Sequence, residues 1–178
     1  MGQRLNLEIV QGDAVLANAY YHWSGYTSSA FDLVKQIVDS GVYYSNIADP
    51  VEKAIRMLEV TGAGLTEDEF TEMYSPDKFA TATSRNTGLI AISKTGIEET
   101  RRWEEANITI DISTGSIDTG GVFYLIDEYE EQEEQEESVE LANSLVVDIT
   151  KFQELYEEIT NLNTYRIKVS EHIFMLIE

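Results

Sequence analysis

From Trp103 to Thr150 the chain runs for 48 residues without a lysine or an arginine, and that stretch carries fourteen acids. They are Glu104, Glu105, Asp111, Asp118, Asp127, Glu128, Glu130, Glu131, Glu133, Glu134, Glu136, Glu137, Glu140 and Asp148. Any fold must leave most of these carboxylates in water, because an unpaired buried charge is too costly to keep ionised. The centre of the stretch, from Glu130 to Glu137, contains only Glu and Gln and is the one low-complexity segment. The whole chain has a formal charge of −21, so this stretch supplies most of it. Phosphate backbones and anionic lipid surfaces repel such a chain, which argues against direct nucleic-acid binding and against membrane-surface binding. A partner with a basic groove is favoured, because opposite fields steer encounter.

Size and composition allow a cooperative core. At 178 residues with 43% hydrophobic side chains, the chain can bury a core without covalent staples. Cysteine is absent, which excludes disulfides, thiolate metal sites and a thiol nucleophile. No apolar run approaches the ~20 residues of a membrane span, and the start of the chain lacks the basic and apolar regions of a signal peptide. A cytoplasmic location, in a bacterial host cell, is the expectation. Pro50 and Pro76 are the only prolines, so no Pro-rich linker divides the chain. The expected organisation is one domain over residues 1–178, with an acidic segment at 127–140.

Periodicity predicts the elements. Leu5, Leu7 and Ile9 alternate with polar residues, and Gln11-Gly12-Asp13 supplies a turn, so residues 5–23 read as a hairpin. A helix is expected from about Ser29, with Phe31, Val34 and Val38 on one face and Gly41 at its end. A second has Asp49 as N-cap and Pro50 at its first position, with Ile55 and Leu58 facing inward. Thr66-Glu67-Asp68-Glu69 opens a third. Strands are expected at Leu89–Ile92, Ile108–Ile112, Val122–Ile126, Leu145–Val147, Tyr165–Val169 and Ile173–Ile177, with residues 115–121 as a loop. A fourth helix is expected from Thr150, burying Phe152, Leu155, Tyr156 and Ile159. Hairpins outnumber crossovers, which predicts an α+β fold with a largely antiparallel sheet and three to four helices.

Chemical motifs are few. The chain has no phosphate-binding glycine loop, no His-Glu-x-x-His and no nucleophile elbow, and no metal or cofactor is expected. His22 and His172 are the only histidines. His172 precedes the apolar run Ile173–Leu176 and reads as a strand-edge residue. His22 lies among Tyr20, Tyr21, Trp23 and Tyr26, which reads first as a hydrogen-bonded histidine in an aromatic cluster and second as a pocket wall. In the pocket reading Arg4 and Arg85 fix an anion beside His22. The carboxylates are too numerous for sequence to single out an acid–base pair.

Three segments carry a resemblance: Met1-Gly2-Gln3-Arg4, Tyr21-His22-Trp23-Ser24-Gly25-Tyr26-Thr27 and Ser84-Arg85-Asn86-Thr87-Gly88-Leu89-Ile90. Together with Trp103 and Asn107-Ile108-Thr109-Ile110-Asp111, they resemble a family of small phage- and prophage-encoded proteins of low-GC Gram-positive bacteria. The resemblance covers most of the chain and implies a mobile-element setting, and its motif residues Arg4, Tyr21, His22, Trp23, Arg85 and Asn86, aromatic and polar together, imply a candidate pocket. Small acidic proteins in that setting act against host defence nucleases, anti-CRISPR proteins among them. Were the fold like that of amine-nucleophile hydrolases, removal of Met1 would expose Gly2, which has no side-chain nucleophile.

Two functional expectations follow. In the first, the chain inhibits a basic, nucleic-acid-binding host defence protein, a CRISPR effector being the first candidate. Asp127, Glu128, Glu130, Glu131, Glu133, Glu134, Glu136 and Glu137 would then pair with its phosphate-binding cations. In the second, the chain is an enzyme or small-ligand-binding protein with a pocket around Arg4, His22, Trp23 and Arg85. A third possibility is a structural or regulatory phage protein whose acids only confer solubility.

Overall fold

The computed structural model describes residues 4–22, 27–65, 88–101, 105–121 and 146–157. The alternation near the N-terminus becomes β1 (Leu5–Gln11), which buries Leu5, Leu7 and Ile9 on one face. After the turn at Gly12-Asp13, β2 (Ala14–Tyr21) returns antiparallel to it, with Leu5 opposite Tyr21 and Ile9 opposite Ala17. α1 (Thr27–Ser40) begins two residues before the expected start and stops at Gly41, whose φ of 72° suits a residue without Cβ. A 3-10 turn (Val42–Tyr44) leads toward α2 (Pro50–Glu59). The Asp49 carboxylate accepts the Val51 N–H at 3.0 Å, and Pro50 occupies the position where a missing N–H is harmless. α2 buries Ala54, Met57 and Leu58, so its inward stripe includes Leu58 but leaves Ile55 half-buried.

The remaining described elements are β3 (Gly64–Leu65), β4 (Leu89–Ala91), α3 (Lys94–Arg101), β5 (Ala106–Asp111), β6 (Ser116–Gly121) and β7 (Val146–Asp148). A 3-10 turn (Ile149–Lys151) runs from β7 into α4, which is described over residues 152–157. The strands form one sheet in the order β3-β4-β2-β1-β5-β6-β7. Four of its six described pairings are antiparallel, while β1–β5 and β3–β4 are parallel. The fold is therefore α+β with a mostly antiparallel mixed sheet and four helices among the described residues, as the patterning predicts.

α1, α2 and α4 share one face of the sheet. The main core joins Phe31, Val34, Met57 and Leu58 of the helices to Leu7, Ile9, Ile90, Ile108 and Ile110 of the strands. Phe152 of α4 stacks on Phe31 of α1 with ring centroids 5.6 Å apart, and the Tyr156 hydroxyl donates to Asp32 at 2.6 Å. Gly88, just before β4, packs tightly against this core. A Cβ there would lie 2.5 Å from the Tyr21 ring and 2.8 Å from the Ala63 Cβ. α3 lies over the other face, where Ile97 packs with Tyr20, Leu89 and Ala91 in a smaller cluster.

Three local readings are corrected. Residues 116–121 are a strand, because Asp111 closes a tight turn by accepting from the N–H and hydroxyl of Ser113, and Ser116 then pairs with Asp111. α3 has no counterpart in the sequence reading. Its eight residues carry one large apolar side chain, Ile97, and a glycine, so a hydrophobic stripe is missing; the start signal is Ser93, whose hydroxyl accepts from the Gly96 N–H at 3.1 Å. Asp148, rather than Thr150, caps the turn into α4, accepting from the Thr150 N–H and hydroxyl. The helix expected from Thr66, the strands expected at 122–126, 165–169 and 173–177, Ile159 and His172 lie outside the described residues. Among the described residues no helix is long and apolar enough to cross a membrane.

Candidate functional site

Beside its small apolar cluster, the face of the sheet under α3 carries buried polar groups where a sheet interior is ordinarily apolar. Since Leu5, Leu7 and Ile9 take the core side, Arg4, Asn6 and Glu8 point the other way. Register then lines up their neighbours. Glu105 of the β5 approach, Arg4 and His22 form one row; Asn107, Asn6 and Tyr20 form the next; Thr109, Glu8 and Asn18 form a third. Asn6 and Asn18 are wholly buried and Glu8 is nearly so. A central strand carrying such groups is stable only if they are bonded.

α3 supplies much of that bonding. The Arg101 guanidinium, at the helix end, donates from Nε to Glu8 Oε1 at 2.7 Å and from Nη2 to Glu8 Oε2 at 3.2 Å. Asn18 Nδ2 donates to the same Glu8 Oε1 at 3.1 Å, and Asn6 Nδ2 donates to the Thr100 carbonyl at 3.0 Å. The Glu8 side chain is 7% exposed and that of Arg101 45%, so the pair lies at the border of the buried layer. This two-pronged ion pair holds α3 against the sheet.

The first row is more open. The Tyr20 hydroxyl and His22 Nδ1 lie 2.9 Å apart. Burial pushes the Tyr20 phenol up to about 12, so it stays protonated. Burial, and after it the charge of Arg4, hold His22 below its ordinary value, so its ring is neutral at pH 7. Glu105 accepts the Arg4 backbone N–H at 2.9 Å through Oε2, while the same oxygen is 4.0 Å from Arg4 Nε. The row thus presents a guanidinium, a neutral imidazole and a carboxylate side by side.

Of the pocket residues expected from sequence, the hairpin brings together Arg4 and His22. Tyr21 is set on the opposite face: it belongs to the main core, and its hydroxyl lies 2.6 Å from Thr61 Oγ1. The strand period separates it from His22, and Tyr20 takes its place as the aromatic partner. Trp23, Arg85 and Asn86 lie outside the described residues. So do the expected partner-binding acids Asp127, Glu128, Glu130, Glu131, Glu133, Glu134, Glu136 and Glu137. Sequence reasoning missed Glu8 and Asn18; a polar residue on the inward-facing period of an otherwise apolar strand was the available signal.

Beyond α3 the same face continues across β5, β6 and β7. Asp111 and Asp148 both oppose Ser116, and Asp118 sits between Thr109 and Val146. Asp118 and Asp148 are exposed, as is Val146 at 62%. The Asp111 carboxyl lies below the usual range because Ser113 and the Gly12 N–H bond to it; Thr150, and to a lesser degree Lys151, lower that of Asp148. No group of His, Asp and Glu among the described residues is placed to hold a metal ion. No family model, curated protein or solved structure matches the chain.

Proposed function

We propose that this protein is a phage-type acidic inhibitor that occupies the basic nucleic-acid groove of a host defence protein, a CRISPR effector being the first candidate. The carrying observation is the partition of charge. Asp111, Asp118 and Asp148 all come from the cation-free stretch and share the part of the second face formed by β5, β6 and β7. Neighbouring strands lie about 4.8 Å apart, so Asp111 and Asp148, two strands from each other, stand about 10 Å apart on a rigid support. Lys151, just after β7, is the described cation that acts on this part, lowering the Asp148 carboxyl, and four of the other described cations meet acids of their own. Arg56 meets Glu52 and Glu59, Lys35 meets Asp39, Arg101 meets Glu8, and Arg4 meets Glu105. In sequence the Glu-rich run falls between β6 and β7, two strands that pair with each other. A fixed array of carboxylates can pair with the lysines and arginines that otherwise grip phosphates, and so exclude nucleic acid by occupancy.

The test replaces Glu130, Glu131, Glu133, Glu134, Glu136 and Glu137 together by Gln. Reduced repulsion leaves the melting temperature equal or higher, while capture of a nucleic-acid-binding protein from host lysate, and inhibition of it, fall. Full inhibition by an intact variant contradicts the role given to this run and moves the contact elsewhere, with Glu67, Asp68, Glu69 and Glu72 next to be replaced. A second reading, small-ligand binding at Arg4 and His22, is favoured by Glu105 in their row and by the contact of the Tyr20 hydroxyl with His22 Nδ1.

A further inference from the structure

We propose that the layer between the sheet and α3 holds one buried water molecule, which donates its protons to Asn18 Oδ1 and Glu8 Oε2. Asn18 belongs to β2 and is wholly buried, and its Nδ2 donates to Glu8 Oε1 at 3.1 Å. That bond fixes which way the amide points, because the reverse orientation sets the amide oxygen against a carboxylate that can only accept. The oxygen at the other end of the group, Asn18 Oδ1, is buried and has no hydrogen-bond partner among the described residues. A buried acceptor without a donor bears its full desolvation penalty, so in stable folds such atoms are met by a protein group or by ordered water.

Glu8 calls for the same donor. An ionised carboxylate offers about four lone-pair sites. Among the described residues, Oε1 accepts from Asn18 Nδ2 and from Arg101 Nε at 2.7 Å, and Oε2 accepts from Arg101 Nη2 at 3.2 Å. The site left over is on Oε2. Glu8 and Asn18 are opposite one another in register on neighbouring strands, so the two open acceptors share one row of the sheet. The next residue in that row is Ala91 of β4, whose methyl group brings no donor. A molecule between two acceptors must donate twice and be small enough for a closed layer, and water meets both conditions. Its neutrality suits the place as well. Glu8 and Arg101 already compensate each other, so a cation there leaves an excess charge under the helix. The water thus ties β1 to β2 where Arg101 seats α3.

The experiment is water-selective NOE spectroscopy of the full chain, read at the Asn18 side-chain amide, together with magnetic relaxation dispersion of the water oxygen, which counts long-lived internal waters. The expected result is a direct cross-peak between the Asn18 Nδ2 protons and water, with the sign of a molecule that tumbles with the protein. Asn18→Leu puts an apolar branched side chain in place of the amide and lowers the dispersion amplitude by one water. Should Asn18→Leu fail to give a native amide spectrum, the wild-type cross-peak decides. A wild-type Asn18 amide without that cross-peak overturns the proposal. So does a folded Asn18→Leu whose amplitude is unchanged or falls by more than one water. A through-bond coupling from the Asn18 side-chain carbonyl carbon to a protein nitrogen also overturns it, because Oδ1 is then met by the chain itself.

Discussion

Gly88 and His22 show how much hangs on single residues. The contact of Gly88 with the Tyr21 ring and Ala63 leaves no room for a methyl group, and both neighbours are buried in the core. Gly88→Ala is expected to destabilise by about 1–3 kcal/mol, the usual range for overpacking, read as a lower denaturation midpoint. His22 has a folded-state value below its unfolded one, from burial first and Arg4 second. As pH falls through the unfolded value near 6.5, the unfolded chain takes up the proton more readily, so the stability from neutral His22 is present above that pH and lost below it. Melting temperature is therefore expected to fall more steeply between about pH 7.5 and 5 in the wild type than in His22→Gln. Parallel curves would contradict the burial and charge assigned to the ring. The proximity of Arg4 and His22 was legible in the sequence, since a hairpin turning at Gly12-Asp13 pairs its ends. The exchange of Tyr21 for Tyr20 was not, because adjacent tyrosines look alike until register fixes which one faces the core.

Among the elements, α3 was hidden and β6 was misread, for different reasons. A helix of eight residues with one large apolar side chain has no stripe to detect; its place is set by the Glu8–Arg101 pair and the Asn6 bond to Thr100, all long-range. β6 was obscured by its glycines, which in sequence signal a loop, whereas Ser116-Ile117-Asp118-Thr119 keeps the strand period and Ile117 is buried. The helices α1 and α2 were readable because their caps are local: Gly41 and Asp49 act within a few residues of themselves. Two expectations belong here. Arg101→Ala leaves Glu8 buried without its cation and should cost about 3 kcal/mol, whereas changing both Glu8 and Arg101 to Leu should cost less than that single change. Chemical denaturation of the three proteins measures this, and a double variant weaker than Arg101→Ala would show that the pair supports more than α3. Phe152→Ala removes the stack on Phe31 and should cost about 3–5 kcal/mol, as for a lost core aromatic.

At the scale of the molecule, charge and topology are linked through one sheet. Its first face holds the core; its second divides into a half under α3 with buried polar groups and an acid-bearing half over β5, β6 and β7. The α+β class and the largely antiparallel sheet were legible because alternation and turns are local signals, but the parallel β1–β5 pairing at its centre was not, since nothing short-range joins those strands. In the proposed mechanism the acids occupy a basic groove in place of nucleic acid. The direct measurement is DNA binding by a purified CRISPR effector with and without this protein, across salt concentrations from about 50 to 300 mM, where screening lengths shorten and phosphate contacts weaken. The protein is expected to displace DNA at low salt, to lose affinity for the effector steeply as salt rises, and to be competed off by added DNA. An affinity that stays flat across that range, or a bound complex in which DNA still binds, would contradict the mechanism.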